Sequence, residues 1–300
     1  MKPKVSIIVP TYNRYELLKK CMKSLLEQTY ENIEIIVINN GSQDNSSEYL
    51  NSLKEKDNRI KLIEFEKNTG SPYACYNVGI KEATGEYMTF MYDDDMLVHD
   101  AVETIMKKFE LVDYDWICAN CINPDSNNFT FLGINSDKEV TFDDMLCEKY
   151  TGEGWSIFKR ELLGDLKFDE SIYGGESIVW LKMYKKSPAY YTHKGLRIYY
   201  KHSSNYTSVD SYFNNSLKVL KAHETYFAEF ESDYRRLGVL KNKKAKILFL
   251  KSLNSISVDF FQPIKLLSKD TAKYVLLTYI NFLSPNLSKQ IIKLLYRGEK

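Results

Sequence analysis

Short apolar runs alternate with stretches of helical periodicity through the first 200 residues of this 300-residue chain. The runs are rich in Val, Ile, Leu, Met and Phe, and they occupy residues 5–9, 33–38, 60–65 and 87–91. We expect the first run to end at Pro10, because proline closes strands. Runs of this length and composition are typical of buried strands. Between the first two, residues 17–26 repeat Leu, Cys and Met every three or four positions, which predicts an amphipathic helix. Strands separated by helices predict an α/β fold with a mostly parallel central sheet flanked by helices.

Three consecutive acids, Asp93, Asp94 and Asp95, follow the apolar run 87–92. Carboxylates this close repel one another unless a cation or a positive side chain compensates them. Hard cations such as Mg²⁺ and Mn²⁺ prefer oxygen ligands, and open α/β sheets bind ligands at the carboxyl ends of their strands. The alternative is a solvated acidic turn before a helix, with Asp95 or Asp100 as its N-cap.

Composition excludes several other classes of protein. The formal net charge is +1, so no overall field favours nucleic acid as a partner. The five cysteines and the absence of a recognisable secretory signal predict a reducing cytoplasm. Cys118 and Cys121 have C-x-x-C spacing, but no second ligand pair accompanies them, so core packing is favoured over zinc. No apolar run approaches the roughly 20 residues that span a bilayer.

The pattern becomes helical throughout near residue 212, which predicts domains at 1–212 and 213–300. Within the second, the basic run 241–244 is predicted to separate two helices. Residues 123–154 are polar and irregular, as in a long functional loop. In the C-terminal segment, Leu287 and Ile291 share a helical face opposite Lys289 and Lys293. Two interpretations of this basic amphipathic pattern stay open. The helices pack on the first domain or form a homodimer, or they make peripheral contact with an anionic membrane.

Four segments at and before predicted strand ends occur in a specific order: residues 5–14 (VSIIVPTYNR), 36–44 (IVINNGSQD), 77–87 (NVGIKEATGEY) and the acids at 93–95. This ordered set resembles the family 2 glycosyltransferases, which are inverting nucleotide-sugar enzymes of GT-A fold. The resemblance covers roughly residues 3–205. It implies a Rossmann-like GT-A domain that binds a nucleotide sugar, followed here by an α-helical C-terminal extension.

The resemblance also implies which residues bind the donor. They are Pro10, Thr11, Tyr12, Asn40, Asn77 and Asp93. Asn40 stands where the family usually has an acid that binds a pyrimidine base, and its amide can serve uracil, thymine or cytosine. A plain turn at residues 39–42 is the alternative. Tyr76 replaces an arginine that the family often has before the asparagine.

For the metal, the resemblance implies Mn²⁺ or Mg²⁺ held by Asp94, Asp95 and His202, while Tyr92 replaces the first acid of the usual Asp-x-Asp motif. A lone histidine in a polar loop is also compatible with no role. Arg197 and Lys201 can hold phosphate or simply be solvated.

The implied general base is Glu176, with Asp169 and Glu170 as weaker candidates. Ser177 replaces the acid that usually follows the base. Glu176 can alternatively stabilise a helix N-terminus. The resemblance places an acceptor-facing aromatic near Trp155, for which core packing is the alternative.

The resemblance implies an inverting, metal-dependent glycosyltransferase of surface polysaccharide synthesis. Its donor would be a UDP- or dTDP-sugar, and its acceptor a glycan or a lipid-linked hydroxyl. We expect a cytoplasmic protein, with the inner face of the cell membrane as an alternative location. The replacements at Tyr76, Tyr92 and Ser177 motivate a second hypothesis, a catalytically degenerate nucleotide-binding partner in a glycan-synthesis complex.

Overall fold

The computed structural model describes residues 2–172, 174–200, 214–254, 256, 258, 262–285, 287–288 and 290–291. These residues form two compact units. The larger comprises Met1–Glu170 and Val179–Lys201, and the smaller comprises Ser171–Ile178 and His202–Lys300. The predicted boundary at residue 212 falls outside the described residues.

The larger unit begins with the predicted alternation of strands and helices. Its first elements are β1 (Val5–Thr11), α1 (Tyr15–Leu26), β2 (Ile33–Asn39), α2 (Ser46–Lys56), β3 (Ile60–Glu64), α3 (Pro72–Glu82) and β4 (Tyr87–Phe90). Those that follow are β5 (Met96–Leu97), α4 (Ala101–Phe109), β6 (Trp116–Ile122), β7 (Phe131–Leu132), β8 (Lys138–Val140), α5 (Phe142–Leu146), β9 (Thr151–Gly152), β10 (Gly154–Lys159), α6 (Arg160–Leu163), α7 (Glu176–Lys186) and β11 (Ala189–Ile198). The first three residues of α7 are assigned to the smaller unit.

Within the described residues, the central sheet has nine strands in the order β3-β2-β1-β4-β10-β6-β11-β5, with β8 paired to β11. Six strands run in one direction, and β10, β5 and β8 run against them. The predicted mostly parallel sheet is therefore confirmed. Thr11 pairs with Asn39, and Ile8 pairs with Phe90, so β1, β2 and β4 end at the same edge.

Helices cover both faces of this sheet. On one face, α1 buries Leu18, Cys21, Met22 and Leu25, the apolar positions that its periodicity predicted. On the other face, a Cβ on Gly79 in α3 would lie 2.4 Å from Ile8 Cγ2, so α3 approaches β1 more closely than a larger residue allows. Trp155 is buried in the core, which favours packing over the acceptor-facing role.

Two local expectations were wrong. Residues 123–154 contain β7, β8, α5 and β9, and a reciprocal capping box between Thr141 and Asp144 begins α5. Pro10 does not end β1, since it pairs with Ile38 inside the strand. β4 pairs with β1 only as far as Ile8, so β1 has one neighbour at Pro10, a position where proline is tolerated.

The smaller unit is built largely from four helices within its described residues: α8 (Ser216–Arg236), α9 (Leu240–Leu253), α10 (Gln262–Lys265) and α11 (Ala272–Leu283). Leu220 of α8 packs on Leu250, and Phe249 packs on Leu277 of α11. The basic run 241–244 was predicted to separate two helices, but it forms part of α9. None of the helices in the described residues has the length and apolar character needed to cross a membrane.

Candidate donor and metal site

The ends of β1 and β4 bring Thr11 and Asp93 together. Thr11 Oγ1 donates to Asp93 Oδ2 at 2.7 Å, and both side chains are buried. The contact follows from the fold, because parallel neighbours in a sheet end at one edge and their following residues meet there. Two residues that the resemblance assigned to the donor are therefore in direct contact.

Arg14 supplies the positive charge that the acids require. Its Nη1 donates to Asp94 Oδ2 at 2.7 Å and to Asp93 Oδ1 at 3.1 Å. Arg14 is the N-cap residue of α1, and the preceding Asn13 adopts a positive φ of 50°. In the sequence Arg14 is only the last residue of the motif at 5–14, and its pairing with acids 79 and 80 positions away has no local signal.

Asp95 has a different counterion. Arg197 in β11 is only 2% exposed, and its Nε lies 3.5 Å from Asp95 Oδ2. The same guanidinium donates from Nη2 to Glu153 at 3.1 Å and from Nε to Cys121 Sγ at 3.2 Å. Its burial contradicts the expectation that Arg197 is solvated, and its role in holding phosphate stays a prediction. It is buried because β11 pairs with β6, which places Arg197 opposite Cys121 in the sheet.

Burial raises the pKa of two of the three acids, Asp93 and Asp95. It raises the pKa of Asp93 to about 6 and that of Asp95 to about 7, although Arg14 and Arg197 respectively oppose the change. The backbone N–H of Tyr200 donates to Asp95 Oδ1 at 3.0 Å. Asp95 Oδ2 is buried without a hydrogen-bond partner in the described part of the chain. Additional positive charge would therefore favour ionised carboxylates here.

The carboxylate oxygens of the acid triplet are suitable ligands for a hard divalent cation. Asp94 and Asp95 provide carboxylate oxygens, and Asp95 Oδ2 accepts no hydrogen bond from the residues that the structure describes. Across the described residues, no group of three or more His, Cys, Asp or Glu side chains is arranged to hold a metal ion. His202, the third predicted ligand, lies outside the described residues. The metal assignment stays a prediction.

Asn40 lies just past β2 and holds the loop that precedes α3. Its Oδ1 accepts from Thr69 N at 3.1 Å and from Thr69 Oγ1 at 3.2 Å, and its Nδ2 donates to Asn68 at 3.4 Å. Gly41 has a φ of +74°, and a Cβ there would lie 2.5 Å from the carbonyl carbon of Lys67. The turn interpretation is thus present in the structure, and the role of Asn40 toward a base stays a prediction.

Asn77 fixes the segment that follows α6. Its Nδ2 donates to Phe168 O at 2.9 Å and to Glu170 Oε1 at 3.0 Å, while its Oδ1 accepts from Phe168 N at 2.9 Å. Among the hydrogen bonds of the described residues, its carboxamide bonds Phe168 and Glu170 rather than Thr11 or Asp93. Tyr76 is buried against the rings of Phe90 and Phe168, so no cation occupies the position of the missing arginine.

The other predicted site residues are distributed as follows. Pro10 is buried in β1, and Tyr12 is exposed at the end of that strand. Glu176 is the first residue of α7 and belongs to the smaller unit. Its position in the first turn is compatible with stabilising the helix N-terminus, and its role as general base stays a prediction.

Comparison with known sequences assigns the family. Residues 6–163, more than half of the chain, match the model of "Glycosyl transferase family 2". A Campylobacter jejuni protein named GalNAc(5)-diNAcBac-PP-undecaprenol beta-1,3-glucosyltransferase is 37% identical over 201 residues, covering 66% of this chain and 64% of its own. Glycosyltransferase GlyG of Streptococcus pneumoniae is 31% identical over 173 residues, covering 58% and 54%. The match thus spans less than two thirds of either relative's length.

Solved structures support the fold. S. aureus TarS 1–349 in complex with UDP-GlcNAc has a TM-score of 0.62 at 17% identity, covering 99% of this chain and 92% of that one. The mannosyltransferase PcManGT from Pyrobaculum calidifontis, in complex with GDP-Man and Mn²⁺, has a TM-score of 0.56 at 17% identity, covering 98% and 88%. The sheet that ends in Thr11 and the acid triplet, together with the family match, leads to one conclusion: the chain belongs to glycosyltransferase family 2.

Proposed function

We propose that this protein is an inverting glycosyltransferase that moves a sugar from a nucleoside diphosphate to a hydroxyl of a lipid-linked glycan. The observation that carries the proposal is the buried contact of Thr11 with Asp93 beside Arg14 and Asp94, at the carboxyl edge of the sheet. A UDP- or dTDP-sugar is the proposed donor, supported by UDP in the structures of TarS. The name of the C. jejuni relative, which includes PP-undecaprenol, supports the acceptor class.

Asp94 and Asp95 are the residues that would hold a divalent cation, Mn²⁺ or Mg²⁺, with His202 as a further ligand. When bound, such an ion stabilises negative charge on the departing nucleoside diphosphate. PcManGT in complex with Mn²⁺ supports the use of a metal in this fold. Arg14 keeps Asp93 and Asp94 paired, and Thr11 fixes the second oxygen of Asp93, so the acids are ordered before a donor arrives.

Inversion requires a base on the acceptor side that removes the proton of the attacking hydroxyl. We propose Glu176 for this role. The acceptor oxygen then forms a bond to the anomeric carbon as the bond to the diphosphate breaks, and the proton passes to the Glu176 carboxylate. The role in surface polysaccharide synthesis and the location at the cytoplasmic face of the membrane belong to the same proposal.

The test begins with thermal shifts of the protein against a panel of nucleotide sugars in the presence of Mn²⁺. A matched donor raises the melting temperature by mass action. Hydrolysis and transfer are then measured with that donor for the parent protein, Asp94→Asn and a control, Asp125→Asn, which changes an exposed loop acid.

We expect Asp94→Asn to lower turnover at least roughly 100-fold while the protein stays folded, because electrostatic stabilisation at the transition state is lost. The control should retain activity. Near-normal turnover of Asp94→Asn would remove the metal role. Donor binding without hydrolysis or transfer in the parent protein would favour the degenerate binding partner, for which the buried Tyr76 is the supporting observation.

A further inference from the structure

Positive charge is concentrated in the C-terminal part of the chain. Residues 213–300 contain 16 lysines and arginines against 7 aspartates and glutamates, whereas the whole chain is nearly balanced at 41 against 40. The surplus of nine positive charges over the last 88 residues is offset by an acidic first part. Such asymmetry indicates an anionic partner for the C-terminal part.

The same part exposes apolar side chains. Of the twelve large apolar side chains exposed among the described residues, eight belong to the smaller unit. Leu276 is 61% exposed and Leu283 is 87% exposed, and both lie on α11. Ile264 and Leu267, just before that helix, are also exposed. Clusters of exposed apolar residues mark interaction surfaces more often than scattered single residues do.

The helix α11 is apolar on its solvent side as well as on its packed side. Val275, Leu277, Thr278 and Asn281 are buried. The opposite side, which we call the outer face, consists of Ala272, Lys273, Leu276, Tyr279, Ile280 and Leu283, spaced as one helical face. Lys273, in the first turn, is the one charged residue of α11. A helix packed in a soluble protein would normally present charged residues here.

Exposed lysines precede the outer face in the sequence or lie in its first turn. Lys265, Lys269 and Lys273 are exposed, and Asp270 is the one acidic residue between positions 262 and 291. Within the same unit, a groove of about 570 Å³ is lined by apolar residues including Phe227, by three lysines including Lys265, and by Glu224. The unit thus combines basic side chains with exposed apolar ones.

We propose that the smaller unit docks on the surface of an anionic lipid bilayer, with the outer face of α11 in the interfacial region and Lys265 and Lys269 at the acidic headgroups. Interfacial helices bury an apolar face beside lysines without spanning the bilayer. Lysines near an anionic leaflet each add to the affinity.

Two other candidate partners for the outer face of α11 agree less well with the observed charge and exposed apolar residues. A second copy of this chain would bring together two units that each carry a surplus of positive charge. Nucleic acid would neutralise the lysines but would leave Leu276 and Leu283 uncovered, because it binds mainly through its phosphates. Of these three partners, the bilayer matches both the charge and the exposed apolar side chains.

The test is co-sedimentation of the full chain with vesicles of phosphatidylcholine, alone or containing phosphatidylglycerol. We expect binding to the anionic vesicles only, and weaker binding as salt is raised. The variant Leu276→Ser/Leu283→Ser should bind at least roughly tenfold more weakly because apolar burial is lost. The variant Lys265→Gln/Lys269→Gln should lose roughly fivefold for each lysine.

Matched controls come from the larger unit. Leu111→Ser changes a leucine that is 77% exposed, and Lys20→Gln/Lys56→Gln changes two exposed lysines. Both should bind vesicles as the parent does. The lysine variants keep the test valid if the leucine variant fails to fold. Equal binding to neutral vesicles, or unchanged binding by both test variants, would overturn the proposal.

Sedimentation velocity tests the main alternative partner for the outer face, which is a second copy of this chain. A parent dimer that Leu276→Ser/Leu283→Ser converts to a monomer, together with no vesicle binding, would assign the outer face to a second copy and overturn the proposal. Vesicle binding needs neither donor nor acceptor. Its failure is therefore distinguishable from failure of the proposed transferase activity, which donor hydrolysis measures separately.

Discussion

Arg14 Nη1 lies 2.7 Å from Asp94 Oδ2, so an arginine on the loop after β1 neutralises the central acid of the triplet after β4. The same nitrogen lies 3.1 Å from Asp93 Oδ1. Three adjacent carboxylates can be retained here because Arg14 compensates two of them and Arg197 compensates the third. Any divalent cation that binds Asp94 does so where a protein cation already makes contact.

Arg14→Gln should therefore destabilise the metal-free protein. We expect the free energy of unfolding to fall by about 1–3 kcal/mol, less than for a fully buried pair because Arg14 is partly exposed. Mn²⁺ should recover part of the loss by supplying the missing charge. Urea unfolding with and without Mn²⁺ measures both effects. Arg59→Gln, which breaks a pair with Asp57 near the surface, should show no recovery by Mn²⁺. Equal losses in both buffers would contradict the prediction.

The contribution of Asp93 and Asp95 to the free energy of unfolding should fall as pH rises from about 4 to about 7 in metal-free buffer. The folded-state pKa of Asp93 is raised to about 6 and that of Asp95 to about 7, above the ordinary value of 3.8. In this window the native state binds more protons than the unfolded state, so raising pH favours unfolding. Each group adds a slope of up to about 1.4 kcal/mol per pH unit.

Urea unfolding across this pH range measures the slope. Asp95→Asn should reduce it, because the amide does not titrate, and the exposed Asp125→Asn should leave it unchanged. Added Mn²⁺ should also flatten the dependence if the cation binds the ionised acids. A stability that rises steadily between pH 4 and pH 7 in all three proteins would show that other groups dominate.

Asn77→Ala should lower stability because Phe168 loses partners for both its backbone N–H and its backbone C=O. Leaving buried backbone groups unpaired costs about 1–3 kcal/mol. Chemical unfolding gives the value. The matched control is Asn51→Ala on α2, because the hydrogen bonds that the Asn51 side chain donates are exposed. This variant should change the free energy of unfolding by less than about 0.5 kcal/mol. If Asn77 instead binds the donor, the variant would raise the donor KM without loss of stability.

Glu176→Gln separates catalysis from helix stabilisation. A general base typically contributes roughly 10²–10⁴-fold, so kcat should fall by that range while donor binding persists. If Glu176 only stabilises the N-terminus of α7, kcat should be unchanged and stability should fall by about 0.3–1 kcal/mol. Steady-state kinetics and thermal melts distinguish the two. Glu48→Gln, in the first turn of α2, is the control for loss of an acid at a helix N-terminus.

Much of the fold was predictable because its signals are local. The apolar runs that became β1, β2 and β4 are mostly buried, whereas the run that became the edge strand β3 is buried only at Ile60. Helix α1 buries the residues that its periodicity selected. The short strands β7, β8 and β9 were missed because two or three residues are too few to show a period. The start of α9 was misplaced because lysine is a good helix former even in a basic run.

The sequence by itself determined that an α/β sheet would end in three acids, since strand burial and the order of motifs are properties of neighbouring residues. Only the tertiary structure decided which positively charged side chains pair with those acids. Arg14 lies 79 positions before Asp93, and Arg197 becomes buried only when β11 pairs with β6. Asn77 likewise appeared as a donor residue, yet the fold directs its amide to Phe168. Such long-range contacts depend on sheet order and register, which no local pattern encodes.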